Sequence, residues 1–301
     1  GDLILQLDDR STQGMSLEEA ISLMRGDKGS TIKLTLGREG ATEPLVVTLT
    51  RDTIAIKSIR KEVLEPGFAY LRIAQFQEQT GAELTRAIAE LRKQEPALKG
   101  MVIDLRNNPG GLLPASIDVA DALLDNGLIV YTEGRIASSN TRAMATPGDA
   151  LEGIPLTVLI NEGTASAAEI VAGALKDHRR ALIVGTRSFG KGSVQTVLPL
   201  QDGRAIKLTT ARYFTPSGNS IQADGIQPDV EVRRAEVHEL EPGFVIKESN
   251  LGGHLESGKK QPSPKHDAES GKPVDNQLHE AVNLLKALAL FSRPADPLAD
   301  Q

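Results

Sequence analysis

The amino-acid sequence predicts an α/β fold in which helices cover a mainly parallel β-sheet. Short apolar strands alternate with amphipathic helices through the middle of the chain, which is the pattern of βαβ units. Two of these strands end in turns that contain glycine, as expected where the backbone at the carboxyl end of a parallel strand approaches a ligand closely. Residues 1–52 follow a different pattern, alternating strands around one helix, which indicates a separate domain.

The composition excludes several classes of function. The chain has 301 residues, a formal net charge of −6 and no basic block, which argues against nucleic acid as the main partner. It has no cysteine, so disulfides and thiol catalysis are excluded, and its five histidines show no metal-binding spacing. No apolar run is long enough for a transmembrane helix, and no signal peptide is visible, although the abrupt start leaves room for one that has been removed. We therefore expect neither a metal nor a cofactor.

Residues 1–52 predict a small α/β domain. A helix begins at Ser16, where Ser16 and Glu19 form a capping-box pattern and apolar residues follow at helical spacing. The predicted strands are residues 1–7, 29–36 and 44–50.

Residues 53–235 predict the larger domain. Its predicted strands are residues 68–73, 100–105, 128–132, 156–160 and 181–184, and its predicted helices are residues 80–93, 116–125 and 166–175. We expect the strands to share the parallel sheet. Residues 133–150 are expected to form a loop that acts as a substrate-facing flap, and residues 204–214 belong to a β-hairpin arm.

The end of the chain has a different character. We interpret residues 236–274 as a linker or mobile loop, because the segment is rich in glycine, serine, lysine and proline towards its end. Residues 275–301 contain a strongly amphipathic helix that is capped by Asp275 or Asn276. This helix packs either on its own domain or on another subunit, and the loose tether favours a role in oligomerisation.

The candidate chemistry lies in residues 161–195. Ser166 follows a strand and a glycine-containing turn and opens a helix, so its hydroxyl is expected at the sheet edge, where helix amides point at any oxyanion formed there. Lys191, on a glycine-rich turn, could act as its base if apolar neighbours such as Phe189 and Val194 keep the amine uncharged. Serine is also an ordinary helix cap, and a lysine on such a turn is usually solvated. These two residues alone leave a Ser/Lys hydrolase and a purely structural role open.

The same glycine-rich turn nearly matches a phosphate-binding loop. Gly185, Gly190 and Lys191 have the required spacing, but Gly192 stands where that loop needs serine or threonine. The loop must also lead into a helix whose amides cradle phosphate. The residues that follow are β-rich and include a proline, so we reject the nucleotide-binding interpretation.

Two separated motifs resemble those of the carboxy-terminal processing proteases, which are PDZ-containing Ser/Lys peptidases of the tail-specific type. They are Gly-Thr-Ala-Ser-Ala-Ala-Glu at residues 163–169 and Phe-Gly-Lys-Gly-Ser-Val-Gln at residues 189–195. By this resemblance Ser166 is the nucleophile, Lys191 is the general base, and Gln195 holds the lysine amine in place. The family usually has serine at the position of Thr164 and often at that of Ala168, but neither difference touches the catalytic positions.

The resemblance also implies an oxyanion hole. In the family, the turn that here follows Asp104 contributes a backbone amide, which we assign to Gly110 or Gly111, with the amide of Ala167 as the second donor. From the residues alone, a tight turn before the next helix explains the two glycines equally well. Asp104 itself is expected to tie down that turn rather than to act as a catalytic acid.

The fold implied by the resemblance has three parts. Residues 1–52 resemble the carboxy-terminal part of a PDZ domain, whose remaining peptide-groove strand is expected upstream of Gly1. Residues 53–235 correspond to a Ser/Lys protease core of the ClpP/crotonase-like type, and the C-terminal helix is an extension of it.

The expected function is that of a serine endopeptidase that is gated by the PDZ domain. It would cleave protein substrates presented by C-terminal or unstructured segments, in the periplasm or otherwise exported from a bacterium. The expected partners are cell-envelope protein substrates, a lipoprotein adaptor and further copies of the chain. Two alternatives stay open: a non-catalytic PDZ scaffold, and an acyl-transfer enzyme on a crotonase-like core, which would use the same oxyanion amides without Lys191.

Overall fold

The computed structural model describes residues 2–38, 40–52, 57–136, 140–200, 204–236 and 275–291. The chain divides into two units, residues 1–57 and 58–301. Nearly all of the predicted linker, the tip of the predicted flap and the chain after Phe291 lie outside the described residues. Within the described ranges, no helix combines the length and the apolar character that a membrane span requires.

Among its described residues, the first unit contains one antiparallel sheet and one helix. Its elements are β1 (Leu3–Leu7), β2 (Arg10–Ser11), α1 (Leu17–Met24), β3 (Thr31–Gly37) and β4 (Leu45–Thr50), with the sheet order β2-β1-β3-β4. The predicted capping box is confirmed, because Glu19 N donates to Ser16 Oγ over 3.2 Å and Ser16 N donates to the Glu19 carboxylate over 2.9 Å.

The apolar surface of this first unit is largely uncovered. Leu7 and Ile32 are buried, whereas α1 buries none of its residues. Exposed apolar side chains lie on the helix and on the strands β1 and β4; they include Leu3, Leu17, Val46 and Leu49.

The second unit contains two sheets and four helices among its described residues. Its elements in chain order are β5 (Ile59–Glu65), β6 (Phe68–Ile73), α2 (Thr80–Gln94), β7 (Gly100–Asp104), α3 (Leu113–Asp121), β8 (Leu128–Gly134), β9 (Arg142–Met144), β10 (Leu156–Ile160), α4 (Ala167–Asp177), β11 (Leu182–Gly185), β12 (Ser193–Pro199), β13 (Ala205–Phe214), β14 (Val230–Glu231) and α5 (Asn276–Phe291). The central sheet has the order β14-β11-β10-β7-β6-β5, and only β5 runs antiparallel to its neighbour. The predicted mainly parallel sheet is therefore confirmed.

The central strands are buried on both faces, which explains their continuous apolar sequences. Met101 and Ile103 of β7 face the core formed with α2, α3 and α4, whereas Val102 between them faces the opposite side. Successive side chains of a strand point to opposite faces, so a helix layer is needed on each side. On the second side that layer is α5, through Ala281, Val282, Leu285 and Ala289.

One predicted strand belongs to a different sheet from the one that was predicted. The segment at residues 128–132 was expected in the parallel sheet, but β8 belongs to an antiparallel sheet of order β12-β13-β8-β9. Tyr131 of β8 stacks on Phe214 of β13, with ring centroids 5.1 Å apart. The predicted loop at residues 133–150 also contains a strand, β9, which pairs with β8. An apolar run indicates a strand but does not identify its hydrogen-bonding partner.

Helices α3 and α5 bear on the sequence-based predictions. The helix predicted at residues 116–125 begins earlier, at Leu113, because Pro114 is accommodated in its first turn, where no intrahelical donor is needed. Helix α5 packs on its own sheet, which is one of the two predicted alternatives, and Leu278 N donates to Asp275 Oδ1 over 3.1 Å at its capped start. Leu290 and Phe291 remain exposed at its end, and its role in oligomerisation stays a prediction.

Candidate active site

Three turns meet at one edge of the central sheet because β7, β10 and β11 are adjacent and parallel. The glycine turn (residues 105–111) follows β7, the serine turn (residues 161–166) follows β10, and the lysine turn (residues 186–192) follows β11. The carboxyl ends of parallel strands are the usual location of a site in such sheets. The candidate residues of the sequence motifs therefore converge here, with Gln195 just beyond on β12.

The serine turn presents Ser166 in a strained backbone conformation. Its φ is 56° and its ψ is −116°, and α4 begins at the next residue. A non-glycine residue with positive φ is uncommon and is characteristic of functional turns. The side chain of Thr164 fixes the turn, since its hydroxyl donates to Leu105 O over 2.8 Å and accepts from Asn161 N over 3.0 Å. Thr164 therefore stabilises the serine turn.

Ser166 differs from an ordinary helix cap in its backbone conformation. In α1 the capping Ser16 has a φ of −70° and its hydroxyl accepts a helix amide. Ser166, at the same position of α4, has a φ of 56°, although it shares with Ser16 the capping-box pairing with the glutamate three residues further on. A capping role alone therefore does not explain the strained conformation of this serine.

Glu169 joins the serine turn to the lysine turn. Its carboxylate is fully buried and accepts four hydrogen bonds. Ser166 N and Lys191 N donate to Oε2 over 2.8 and 2.9 Å, and Ser188 Oγ and Gly190 N donate to Oε1 over 2.6 Å each. Since charge-assisted hydrogen bonds to a buried carboxylate are the stronger kind, this side chain fixes the two backbones relative to each other.

The side chains of Lys191 and Gln195 are less constrained. Lys191 is half-buried, and its amine has no hydrogen-bond or ion-pair partner among the described residues. Gln195 is exposed, and no hydrogen bond between its side chain and Lys191 occurs in the part of the chain that the structure describes. Of the two apolar neighbours that were expected to bury the amine, Phe189 is itself 66% exposed and Val194 packs at the margin of the main core.

The glycine turn is tied to the serine turn by Asn108. Its Oδ1 accepts from Gly110 N over 2.8 Å, its Nδ2 donates to Ile73 O over 2.8 Å, and its carbonyl accepts from Ala165 N over 2.9 Å. The side chain is fully buried. The residue before Ser166 is therefore positioned by the glycine turn itself.

The two glycines of this turn occupy positions that other residues cannot fill. A Cβ on Gly110 would lie 2.9 Å from Ser166 Cβ and 3.0 Å from Ala167 N, and one on Gly111, whose φ is +147°, would lie 2.0 Å from Phe76 O. Gly110 N is already bonded to Asn108. By contrast, the N–H groups of Gly111 and Ala167 have no partner among the residues that the structure describes. Within the described residues, the available amide donors are thus that of Gly111, which follows Gly110, and that of Ala167, which follows Ser166.

Asp104 ties down the base of the glycine turn, as the sequence predicted. The carboxylate is fully buried and accepts from Arg106 N over 2.9 Å, from Tyr70 Oη over 2.8 Å and from Arg72 Nη1 over 3.1 Å. Burial, together with the adjacent Asp104 charge, raises the pKa of Tyr70 to about 12, so this phenol stays protonated and donates to Asp104. Arg72 also donates to Arg106 O over 3.0 Å.

Sequence reasoning missed the contributions of Glu169, Asn108 and Arg106. A signal existed for Glu169, because Ser166 and Glu169 have the same Ser-x-x-Glu spacing as the capping box of α1. Nothing local pointed to Asn108 or Arg106, since their partners lie far away in the sequence.

Comparison with known proteins identifies the family. Residues 67–232, which include all three turns, match the model of peptidase family S41. The chain belongs to this family. S41 members are serine peptidases, so the resemblance to carboxy-terminal processing proteases is confirmed.

The relatives support the same assignment. The carboxy-terminal-processing protease of Bartonella bacilliformis is 45% identical over 307 residues, covering 99% of this chain and 70% of the relative. The carboxyl-terminal-processing protease of Synechocystis is 40% identical over 237 residues, covering 77% of this chain and 55% of the relative. Among solved structures, the photosystem II D1 C-terminal processing protease is 38% identical with a TM-score of 0.55, covering 77% of this chain and 63% of that one. The chain thus spans little more than half the length of several S41 relatives.

Proposed function

We propose that this S41 protein is a serine endopeptidase that uses a Ser166/Lys191 dyad to cleave protein substrates at C-terminal or unstructured segments. The observation that carries the proposal is the buried carboxylate of Glu169, which accepts hydrogen bonds from the backbone amides of both dyad residues. The family membership and the names of the relatives, which describe C-terminal processing, support the choice of substrate.

The proposed reaction is an acyl transfer to Ser166 followed by hydrolysis. Ser166 Oγ attacks the scissile carbonyl carbon while its proton passes to Lys191 Nζ. The carbonyl oxygen becomes an oxyanion that accepts hydrogen bonds from the N–H groups of Gly111 and Ala167. Lys191 then gives the proton to the leaving amine, and water activated by the same lysine hydrolyses the acyl-enzyme.

The base must be uncharged when it acts. Lys191 is half-buried and its amine has no hydrogen-bond or ion-pair partner within the described part of the chain, so the amine is free to turn towards Ser166. We propose that bound substrate completes its burial and that Gln195 then orients it by a hydrogen bond. A lysine in an apolar, covered site favours the neutral amine that a general base requires.

We further propose that the first unit is part of a PDZ domain that gates access to this site. Its helix and antiparallel sheet are the kind of elements between which such domains bind extended peptides. By the same family resemblance, the protein would act in the periplasm or otherwise exported from a bacterium, on cell-envelope proteins, with a lipoprotein adaptor and as a homo-oligomer.

Oligomerisation through α5 can be tested without unfolding the chain. Phe291 is 89% exposed and Leu290 is 70% exposed at the end of the docked helix. Changing both residues to serine should reduce the mass seen by light scattering if this end contacts another subunit. An unchanged mass would show that the end of α5 does not contribute to an interface between subunits.

The catalytic proposal is tested with a disordered protein substrate and a serine-reactive probe. Ser166→Ala should abolish both cleavage and labelling, and Lys191→Arg should abolish cleavage, because arginine retains its proton. Gln195→Ala should lower the rate less severely. Lys207→Arg, an exposed lysine on β13, is the matched control and should cleave normally.

Two outcomes would favour the alternatives. An active Lys191→Arg enzyme would contradict the base assignment and favour acyl transfer that uses the oxyanion amides alone. A protein whose Ser166 is never labelled and that cleaves nothing would be a scaffold.

A further inference from the structure

Helix α5 reaches the catalytic edge of the sheet through one arginine of the glycine turn. The Arg106 side chain is only 11% exposed and donates to Asp275 Oδ1 over 2.9 Å and to Asp275 Oδ2 over 2.7 Å. It also donates to Gln277 Oε1 over 3.0 Å. Asp275 and Gln277 lie at the start of α5, far from Arg106 in the sequence and outside the residues that match the family.

The same arginine is bonded to the end of β7. Its Nε and Nη2 donate to the two oxygens of Asp104 over 3.0 and 2.8 Å, and its backbone N–H donates to Asp104 Oδ1 over 2.9 Å. Its carbonyl accepts from Arg72. Both backbone groups of Arg106 are therefore held by the network that its side chain completes.

The position of Arg106 determines the geometry of the residues that follow it. Asn107 N donates to Asn161 Oδ1 over 2.8 Å, and Asn161 Nδ2 donates back to Asn107 Oδ1 over 3.0 Å. Asn108 then orients Gly110 and accepts from Ala165 N. A displacement of Arg106 would therefore also displace the amide of Gly111 and the serine turn.

Asp275 improves the charge balance of this arrangement. Arg72 and Arg106 both donate to Asp104, which is fully buried, so without Asp275 two guanidinium groups would share one carboxylate. Burial acts to raise the pKa of Asp275, but its hydrogen bonds with Arg106 and with backbone amides of α5 outweigh that effect and lower it. Asp275 is therefore present as the second anion.

We infer that Asp275 is a positioning residue for the oxyanion hole: through Arg106 it holds the glycine turn so that the Gly111 amide faces the reacting carbonyl. This inference rests on the proposed peptidase function. It assigns to the C-terminal helix a part in the reaction in addition to covering the sheet.

The decisive variant is Asp275→Asn in the full chain. Asparagine caps a helix as well as aspartate does, so α5 should stay docked while the charge and the two-oxygen contact with Arg106 are lost. We expect kcat to fall about tenfold with KM little changed, a smaller loss than removal of an oxyanion donor causes. The affinity for a peptide aldehyde, whose hemiacetal oxygen with Ser166 occupies the oxyanion position, should fall by a similar factor.

The matched control is Lys286→Gln. Lys286 pairs with Glu65 over 2.6 Å, so this variant removes another ion pair that attaches α5 to the sheet without touching Arg106. It should retain the kcat and the aldehyde affinity of the wild type. Hydrogen exchange in α5 should be equally slow in both variants.

The outcomes separate this inference from the proposed function. A wild-type enzyme that cleaves peptide, with an Asp275→Asn variant equal to it in kcat and aldehyde affinity, would overturn the role of Asp275 and leave the peptidase standing. Equal losses in Asp275→Asn and Lys286→Gln would overturn it as well, since they would indicate general loosening of α5. A wild-type protein that neither cleaves peptide nor binds the aldehyde would overturn both proposals.

Discussion

Replacing Glu169 by glutamine tests whether one buried carboxylate holds the two catalytic turns together. The change keeps the shape of the side chain and removes one acceptor oxygen. In the native protein each carboxylate oxygen accepts two hydrogen bonds. A glutamine amide has a single oxygen, and its nitrogen only donates, so in either orientation two donors lose their acceptor.

The magnitude follows from burial. An unsatisfied buried donor costs about 1–3 kcal/mol, so the two lost bonds amount to about 2–6 kcal/mol. In one orientation the orphaned donors are the N–H groups of Ser166 and Lys191, and in the other they are Ser188 Oγ and Gly190 N. If misplacement of the dyad raises the activation free energy by about 2 kcal/mol, kcat/KM falls about 30-fold.

The assay compares Glu169→Gln with Ser188→Ala. The control removes one hydrogen bond to the same carboxylate and one from Ile226 N, but it leaves the amides of Ser166 and Lys191 bonded. Thermal unfolding should show both variants destabilised, and peptide cleavage well below both melting temperatures should show the large loss only in Glu169→Gln. Equal kcat/KM values for the two variants would refute the positioning argument, because stability alone would then explain the effect.

Three further predictions follow from close contacts and charge. Gly111→Ala should lower the free energy of unfolding by about 3 kcal/mol or more, or prevent folding, because the new Cβ would lie 2.0 Å from Phe76 O at a φ of +147°. A melting temperature near that of the wild type would contradict this prediction. Gly100→Ala places a Cβ 2.6 Å from Leu285 Cγ. It should therefore destabilise the protein by about 1–3 kcal/mol and speed up hydrogen exchange in α5. If the clash is the cause, adding Leu285→Ala should restore slow exchange. The pKa of Asp275 is lowered in the folded protein, so its contribution to stability is present above the ordinary aspartate value of 3.8 and is lost as the pH falls through the lowered value. The difference in unfolding free energy between wild type and Asp275→Asn, measured in urea, should therefore shrink on acidification. A difference that stays constant would contradict a lowered pKa of Asp275 in the folded protein.

Much of the fold could be predicted because local signals agreed with the tertiary structure. The strands at Phe68–Ile73 and Leu156–Ile160 were predicted to the residue, since each is an apolar run bounded by turn residues. The start of α1 was equally clear from its capping box. The strand Leu128–Gly134 was detected but assigned to the wrong sheet, because its partner β13 lies about eighty residues further along and periodicity carries no information on pairing.

The site divides in the same way. Ser166 and Lys191 stand out in the sequence because they lie in short motifs at a fixed spacing. The exposure of Phe189 could not be read from its neighbours, since an aromatic residue beside a motif points into the core or into solvent according to the backbone. The hydrogen bonds of Arg106 could not be predicted for another reason. Its partner Asp275 lies at the start of a helix that is distant in the sequence, and an aspartate at that position is expected as a helix cap without any further role.

The constraints on the site are unevenly distributed, and this bears on how the enzyme could be controlled. The backbone around Ser166 is fixed by buried hydrogen bonds in which Glu169 and Asn108 accept and Thr164 donates. Lys191, by contrast, is half-buried and its amine has no hydrogen-bond or ion-pair partner within the described residues. A device that switches the activity therefore needs only to move or cover the amine, because the proposed nucleophile and the proposed oxyanion donors are already held in place. The peptide aldehyde provides a test, since its adduct depends on the fixed part: affinity for it should differ little between resting and activated protein, while kcat for peptide differs greatly. A parallel change in both would show that activation rebuilds the oxyanion hole instead.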